Sequence, residues 1–150
     1  GAEAVQIFDT WAGVLPDNEF QKWVIEPTRQ IVSNIREVFP GFPVIGFPKG
    51  AAGNLMEFVK KTGVTAVSLD ASAPLEWVKT EIQPHVTVQG NLDPIMVVAG
   101  GNAMVDRVHQ ILETFKGGSH IFNLGHGIIP QTPPENVALL AETVKNWKNS

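Results

Sequence analysis

Five short apolar runs recur along the chain, and between them apolar side chains return every three to four positions. The runs are Ala4–Asp9, Val44–Phe47, Ala66–Asp70, Val86–Gln89 and His120–Leu124, each bounded by turn residues, and that pattern predicts strands. The stretches between them predict helices. Ile31, Val32, Ile35, Val38 and Phe39 share one helical face behind Pro27, which suits a first-turn position. Asn54 is placed to cap a helix carrying Leu55, Met56, Phe58 and Val59, which Gly63 ends. Val105, Val108, Ile111, Leu112 and Phe115 form a further stripe, closed by Gly117 and Gly118. Thr132 and Glu135 read as a capping box around Pro133, ahead of a last helix with Val137, Leu140, Ala141 and Val144.

Strands that are nearly all apolar and alternate with helices predict a parallel sheet covered by helices. Two architectures satisfy the pattern: an open sheet of flavodoxin type, or an arc of a larger barrel. Periodicity does not choose between them. Gly1-Ala2-Glu3 runs into the first strand without an initiator methionine or a preceding helix, which favours a chain cut from something longer.

Composition narrows the function. A chain of 150 residues has the size of one ordinary domain or a piece of a larger one, and its 43% hydrophobic content can fill a core. Without cysteine there is no disulfide, thiolate metal site or thiol nucleophile, and a reducing cytoplasm is the easy expectation. No apolar run is long enough to span a membrane. A net charge of −4 with scattered basic residues argues against a nucleic-acid partner, which needs a basic stripe.

The candidate chemistry gathers where strands end. The runs close on Asp9 and Thr10, on Lys49 between Pro48 and Gly50, on Asp70, on Gly90-Asn91-Leu92-Asp93-Pro94, and on His126 between Gly125 and Gly127. Side chains at the C-terminal lips of parallel strands can converge on one pocket. Asn91 and Asp93 read best as a turn and a cap. Asp70 is evenly balanced between function and loop structure. Lys49 is either an anion holder or a solvated lysine. His126 is either a site residue or a turn histidine bonded to its own loop. His85, His109, His120 and His126 lack the spacing of metal ligands, and no phosphate-binding glycine motif or serine-hydrolase elbow occurs. Trp11, Trp23, Trp77 and Trp147 are expected to pack rather than to stack on a ligand.

Four stretches together resemble the uroporphyrinogen decarboxylase family. They are Gln6-Ile7-Phe8-Asp9-Thr10-Trp11-Ala12-Gly13, Gly46-Phe47-Pro48-Lys49-Gly50, Gln89-Gly90-Asn91-Leu92-Asp93-Pro94 and Asn123-Leu124-Gly125-His126-Gly127-Ile128, the last followed by Thr132-Pro133-Pro134-Glu135-Asn136-Val137. The resemblance implies a TIM-type (β/α)8 barrel, with residues 1–150 as the last five units and the N-terminal part of that single domain absent. A complete barrel takes about 250 residues. It also implies a cytoplasmic, homodimeric enzyme that converts uroporphyrinogen to coproporphyrinogen with neither metal nor organic cofactor.

Residue by residue, the resemblance carries Thr10 to a substrate-binding hydroxyl, His126 to the catalytic and substrate-binding histidine, and Phe8 to an aromatic of the cleft wall. The family's arginine-rich motif, active-site aspartate and cleft tyrosine have no counterpart here, and neither Asp70 nor Asp93 replaces that aspartate. Two other readings are a corrinoid-linked methyltransferase, which needs zinc ligands of a kind this chain lacks, and a non-catalytic partial barrel that associates through its open edges.

Overall fold

The computed structural model describes residues 1–148. Its strands are β1 (Val5–Asp9), β2 (Val44–Pro48), β3 (Ala66–Ser68), β4 (Thr87–Gln89) and β5 (His120–Ile121). They form one sheet in the order β1-β2-β3-β4-β5, all parallel. That order decides between the two architectures. A flavodoxin-like sheet reverses its strand order once, which sends helices to both faces. Here every strand pairs with its successor, so right-handed crossovers bring all the connecting helices to one face. The chain is an arc of a TIM-type barrel.

Side-chain register shows the curvature. Gln6 of β1 pairs with Ile45, and Gln89 of β4 pairs with Ser68. In a flat sheet β1 and β4 would stand about 14 Å apart, three strand spacings. Gln89 nevertheless donates from Nε2 to Gln6 Oε1 at 3.1 Å and to Ser68 Oγ at 3.1 Å. The sheet therefore curls, and these side chains meet on its concave face. At the two edges of the arc the same face is open: Phe8 on β1 is 68% exposed and Ile121 on β5 is 43% exposed.

On the convex face the helices are α1 (Asp17–Phe20), α2 (Glu26–Val38), α3 (Leu55–Thr62), α4 (Leu75–Trp77), α5 (Pro94–Ala99), α6 (Gly101–Thr114) and α7 (Pro134–Asn146). The core lies between them and the sheet, with Phe20, Ile25, Phe58, Leu69, Ile82, Met104, Ile111 and Phe115 all buried. Gly63 ends α3 in the left-handed conformation, as its sequence position predicts. The stripe of α6 buries Val108, Ile111 and Phe115. No helix among the described residues is long and apolar enough to cross a membrane.

Three local expectations are corrected and one is refined. Pro27 does lie in the first turn of α2, but that helix is no fresh start: α1 runs into it through a wide turn, Gln21–Ile25, in which the Glu26 N–H reaches back to the Gln21 carbonyl. Such a turn, five residues per hydrogen bond, absorbs the donor that Pro27 lacks and the clash its ring would cause in regular helix. Of the stripe on α2, Val32 is buried and Ile35 packs against the core, but Ile31, Val38 and Phe39 are exposed.

Asn54 makes no capping bond; its amide donates to Asp17 Oδ1 instead, at 3.2 Å. The capping box before α7 is absent too. Pro133 is the N-cap, no side chain caps the helix, and the Thr132 hydroxyl is buried without a partner. A second proline at 134 moves the helix start one residue on, which takes Thr132 out of capping register.

Gln89 ties three strands of the concave face together. Gln89→Leu keeps its volume but leaves Gln6 Oε1 without its donor, and should destabilise the full-length protein by about 1–3 kcal/mol. Chemical denaturation monitored by tryptophan fluorescence will read the loss.

Candidate active site

The loops that follow the five strands form the C-terminal rim of the arc, and each is tied to the next. The Lys49 N–H donates to the Asp9 carbonyl at 3.0 Å, and the Gly13 N–H donates to the Lys49 carbonyl at 2.9 Å. A methyl group on Gly13 would lie 2.3 Å from the Gly50 carbonyl carbon, so only glycine lets these two loops touch.

Asp70 makes the next connection. Its Oδ2 accepts the Gly50 N–H at 2.6 Å, and its Oδ1 accepts the Ser72 N–H at 2.8 Å as well as the Ser72 hydroxyl. Asn91, fully buried, donates its amide to the carbonyls of Asp70 at 3.0 Å and Ala73 at 3.1 Å. Finally, the Gly125 N–H donates to the Leu92 carbonyl at 2.7 Å, and a Cβ on Gly125 would sit 2.4 Å from the Ala71 nitrogen. The segment bearing His126 is thereby pressed against the loop bearing Asp70.

These loops enclose a cleft of about 420 Å³, lined among others by Lys49, Asp70, Ser72, Asp93 and His126. The two carboxylates have structural duties. Asp93 caps α5 by accepting the Ile95 N–H at 2.9 Å, as its place before Pro94 predicts. Asp70, which the sequence left evenly balanced, is a loop clamp. Burial pushes the Asp70 carboxyl upward, but the hydrogen bonds from Ser72 and Gly50 and the nearby charge of Lys49 outweigh it. The group is held below its ordinary value of 3.8.

His126 is exposed on the cleft lip. Its Nδ1 lies 2.7 Å from the Gly127 nitrogen and accepts that N–H. A ring nitrogen that accepts carries no proton, so the proton of the neutral imidazole resides on Nε2. The local bond that a turn histidine would make thus also selects a tautomer, and it leaves Nε2–H as a donor. The ring stands edge-on to Phe47 at 6.3 Å, and Phe47 stands edge-on to Phe8 at 6.0 Å. Phe8, Phe47 and His126 form an aromatic row from β1 to the segment beyond β5.

Phe47 was not singled out from the sequence. Its signal was available, since it stands opposite Phe8 in a parallel register and so faces the same side. Thr10 is exposed at the end of β1, in a turn where Asp9 Oδ1 accepts the Trp11 N–H at 3.2 Å. Thr10 and His126 share the rim, while Thr10 and Phe8 lie outside the lining of the cleft that holds His126.

The remaining histidines have other roles. His85 and His109 are exposed. His120 Nε2 donates to the Gly90 carbonyl at 2.8 Å, and burial lowers its pKa below the usual 6.5, against the pull of that bond. Among the described residues, no three His, Asp or Glu side chains converge as metal ligands would. The expectation that the tryptophans pack fails for two of them. Trp11 is 74% exposed beside Thr10, and Trp23 is 58% exposed with its indole N–H on Glu19 at 2.7 Å.

The depressed Asp70 carboxyl fixes a pH signature. Its stabilising effect is fully present above about pH 3.8 and is lost as pH falls through the lower folded-state value. Asp70→Asn should therefore cost about 1–3 kcal/mol at pH 7. Its deficit against the parent protein should shrink in denaturation curves taken progressively below pH 3.8.

Comparison with known proteins agrees with this geometry. The family described as uroporphyrinogen decarboxylase (URO-D) matches residues 1–147. The chain is 57% identical over 145 residues to the uroporphyrinogen decarboxylase of Rhodospirillum rubrum, covering 97% of this chain and 42% of that protein. It is 47% identical over 148 residues to that of Erythrobacter litoralis, covering 99% of this chain and 43% of the relative. It is 46% identical over 148 residues to that of Gluconobacter oxydans, covering 97% and 42%. The chain thus spans well under half the length of these relatives. The match runs through all five strands and the whole rim, and on that ground the chain belongs to the uroporphyrinogen decarboxylase family.

Proposed function

We propose that the full protein, of which this chain spans a part, decarboxylates uroporphyrinogen III to coproporphyrinogen III by turning four acetate side chains into methyl groups. The observation that carries this reading is His126, whose Nδ1 is taken by the Gly127 N–H and whose Nε2 is left for a ligand on the lip of a cleft at the C-terminal ends of parallel strands. The names of the relatives favour decarboxylation over corrinoid-linked methyl transfer.

The chemistry needs no group beyond acids, bases and hydrogen-bond donors. A proton added to a pyrrole ring carbon makes the ring an electron acceptor. The C–C bond to the acetate carboxylate then breaks, carbon dioxide leaves, and the bonding pair flows into the ring to give an exocyclic methylene. A second proton converts the methylene to methyl, and loss of the first restores the pyrrole. His126 holds a substrate carboxylate through Nε2–H. Thr10 orients another by its hydroxyl, and the row Phe8–Phe47 supplies an apolar wall for the macrocycle.

The proton source and the arginine anchors belong to the part of the family pattern that this chain does not contain, because Asp70 and Asp93 are committed to backbone N–H groups. The same reading makes the protein a cytoplasmic homodimer, on the strength of the family resemblance.

Assay of uroporphyrinogen turnover by the full-length protein tests the proposal. His126→Ala and Thr10→Ala should each lower kcat/KM by about 10- to 1000-fold, the range for losing one oriented donor. Unchanged rates in both variants would remove the site assignment, and a parent protein that leaves the substrate intact would remove the reaction.

A further inference from the structure

Lys49 is the one cation in the lining of the cleft that holds His126, and its backbone and side chain are treated in opposite ways by the fold. Both backbone groups are fixed. The N–H is bonded to the Asp9 carbonyl and the C=O to the Gly13 N–H, which sets the Cα between the β1 and β2 loops. The position directly follows β2, which ends at Pro48, and lines the same cleft as His126.

The half-buried side chain is uncommitted. Among the described residues the ion pairs are Arg29–Glu26, Lys61–Glu57 and Lys116–Glu113, and the Lys49 ammonium joins none of them and donates no hydrogen bond. The carboxylates that line the cleft hold backbone N–H groups, Asp70 those of Gly50 and Ser72 and Asp93 that of Ile95, and Lys49 acts on Asp70 only as a nearby charge. A solvated lysine on an open surface needs no such fixing of its backbone. A lysine anchored at both peptide groups, set in a cleft where its ammonium closes no ion pair of its own, is placed to meet an anion that arrives from outside.

We propose that Lys49 is a further substrate-binding residue, a cationic anchor for one of the carboxylates of the porphyrinogen on the side of the cleft facing His126. The proposal rests on the decarboxylase reading and extends it. A flexible macrocycle with eight carboxylates needs several separate anchors to hold one orientation. A lysine ammonium serves as a point-charge anchor that tolerates the rotation of a flexible carboxylate arm. Lys49 holds substrate in the ground state and transition state alike, so it sets affinity rather than the chemical step.

Steady-state kinetics of the full-length protein with uroporphyrinogen will test this, using Lys49→Met, Lys49→Arg and the parent. Lys49→Met retains the length of the side chain without its charge, and the absence of internal side-chain bonds leaves the fold little to lose. The expected result is a KM raised about 10- to 100-fold with kcat held within roughly threefold, most of the loss restored in Lys49→Arg. Fluorescence titration with uroporphyrin should show the same ranking of affinities. If Lys49→Met binds and turns over substrate with the parent's KM, the anchor is overturned while the decarboxylase reading stands. If the parent itself does not consume uroporphyrinogen, both fall. A kcat that collapses at unchanged KM would also overturn the proposal, since it would put Lys49 in the chemistry.

Discussion

Strand order is the constraint from which the rest of this structure follows. Five parallel strands, each paired with its successor, can be joined by right-handed crossovers only with every helix on one side. The other side has no helix to cover it and must close on itself. The Gln89 amide bridging to Gln6 and Ser68 is the local expression of that closure, since it requires strands three positions apart to face one another. All strand C-termini then point to one end, and the loops that follow them have no choice but to become neighbours.

Crowding at that rim explains why its residues divide into supports and free groups. Backbone groups left over where strands end need partners: Asp70 and Asp93 accept from N–H groups, and Asn91 donates to the carbonyls of Asp70 and Ala73. A carboxylate that accepts three donors is stabilised in its charged form and makes a poor proton donor. Side chains left over from this task, the His126 Nε2–H and the Lys49 ammonium, are the ones able to meet a ligand. Acidic residues in the cleft thus serve geometry, which leaves the groups beside them free for the binding roles proposed above.

Much of this was legible in the sequence, for identifiable reasons. The apolar run that became β2 is nearly continuous because both its faces are covered, and the ends of β1 and β2 lie within a residue of the apolar runs. Asp93 before Pro94 announced a cap. What the sequence hid were effects of neighbours distant along the chain. The preference of Asn54 for Asp17, 37 residues away, overrode a local capping signal. Trp11 has the character of a core residue, yet its loop lies where nothing covers it. The clamp role of Asp70 depends on the amide of Gly50, whose proximity the pairing of β2 with β3 creates.

The wide turn at Gln21–Ile25 has a consequence for how this segment can change. An extra residue accommodated within a helix rotates everything beyond it by about 100° relative to what came before. Phe20 and Val24 on one side, and Thr28 and Val32 on the other, are all buried with that rotation in place. Removal of a single residue from the turn would restore regular winding and swing one half of the helix off its seat. Proline at 27 blocks that repair sterically. The irregularity is therefore locked in: the exposed positions of this stretch can exchange side chains, but the stretch cannot shed or gain a position without unseating its buried ones.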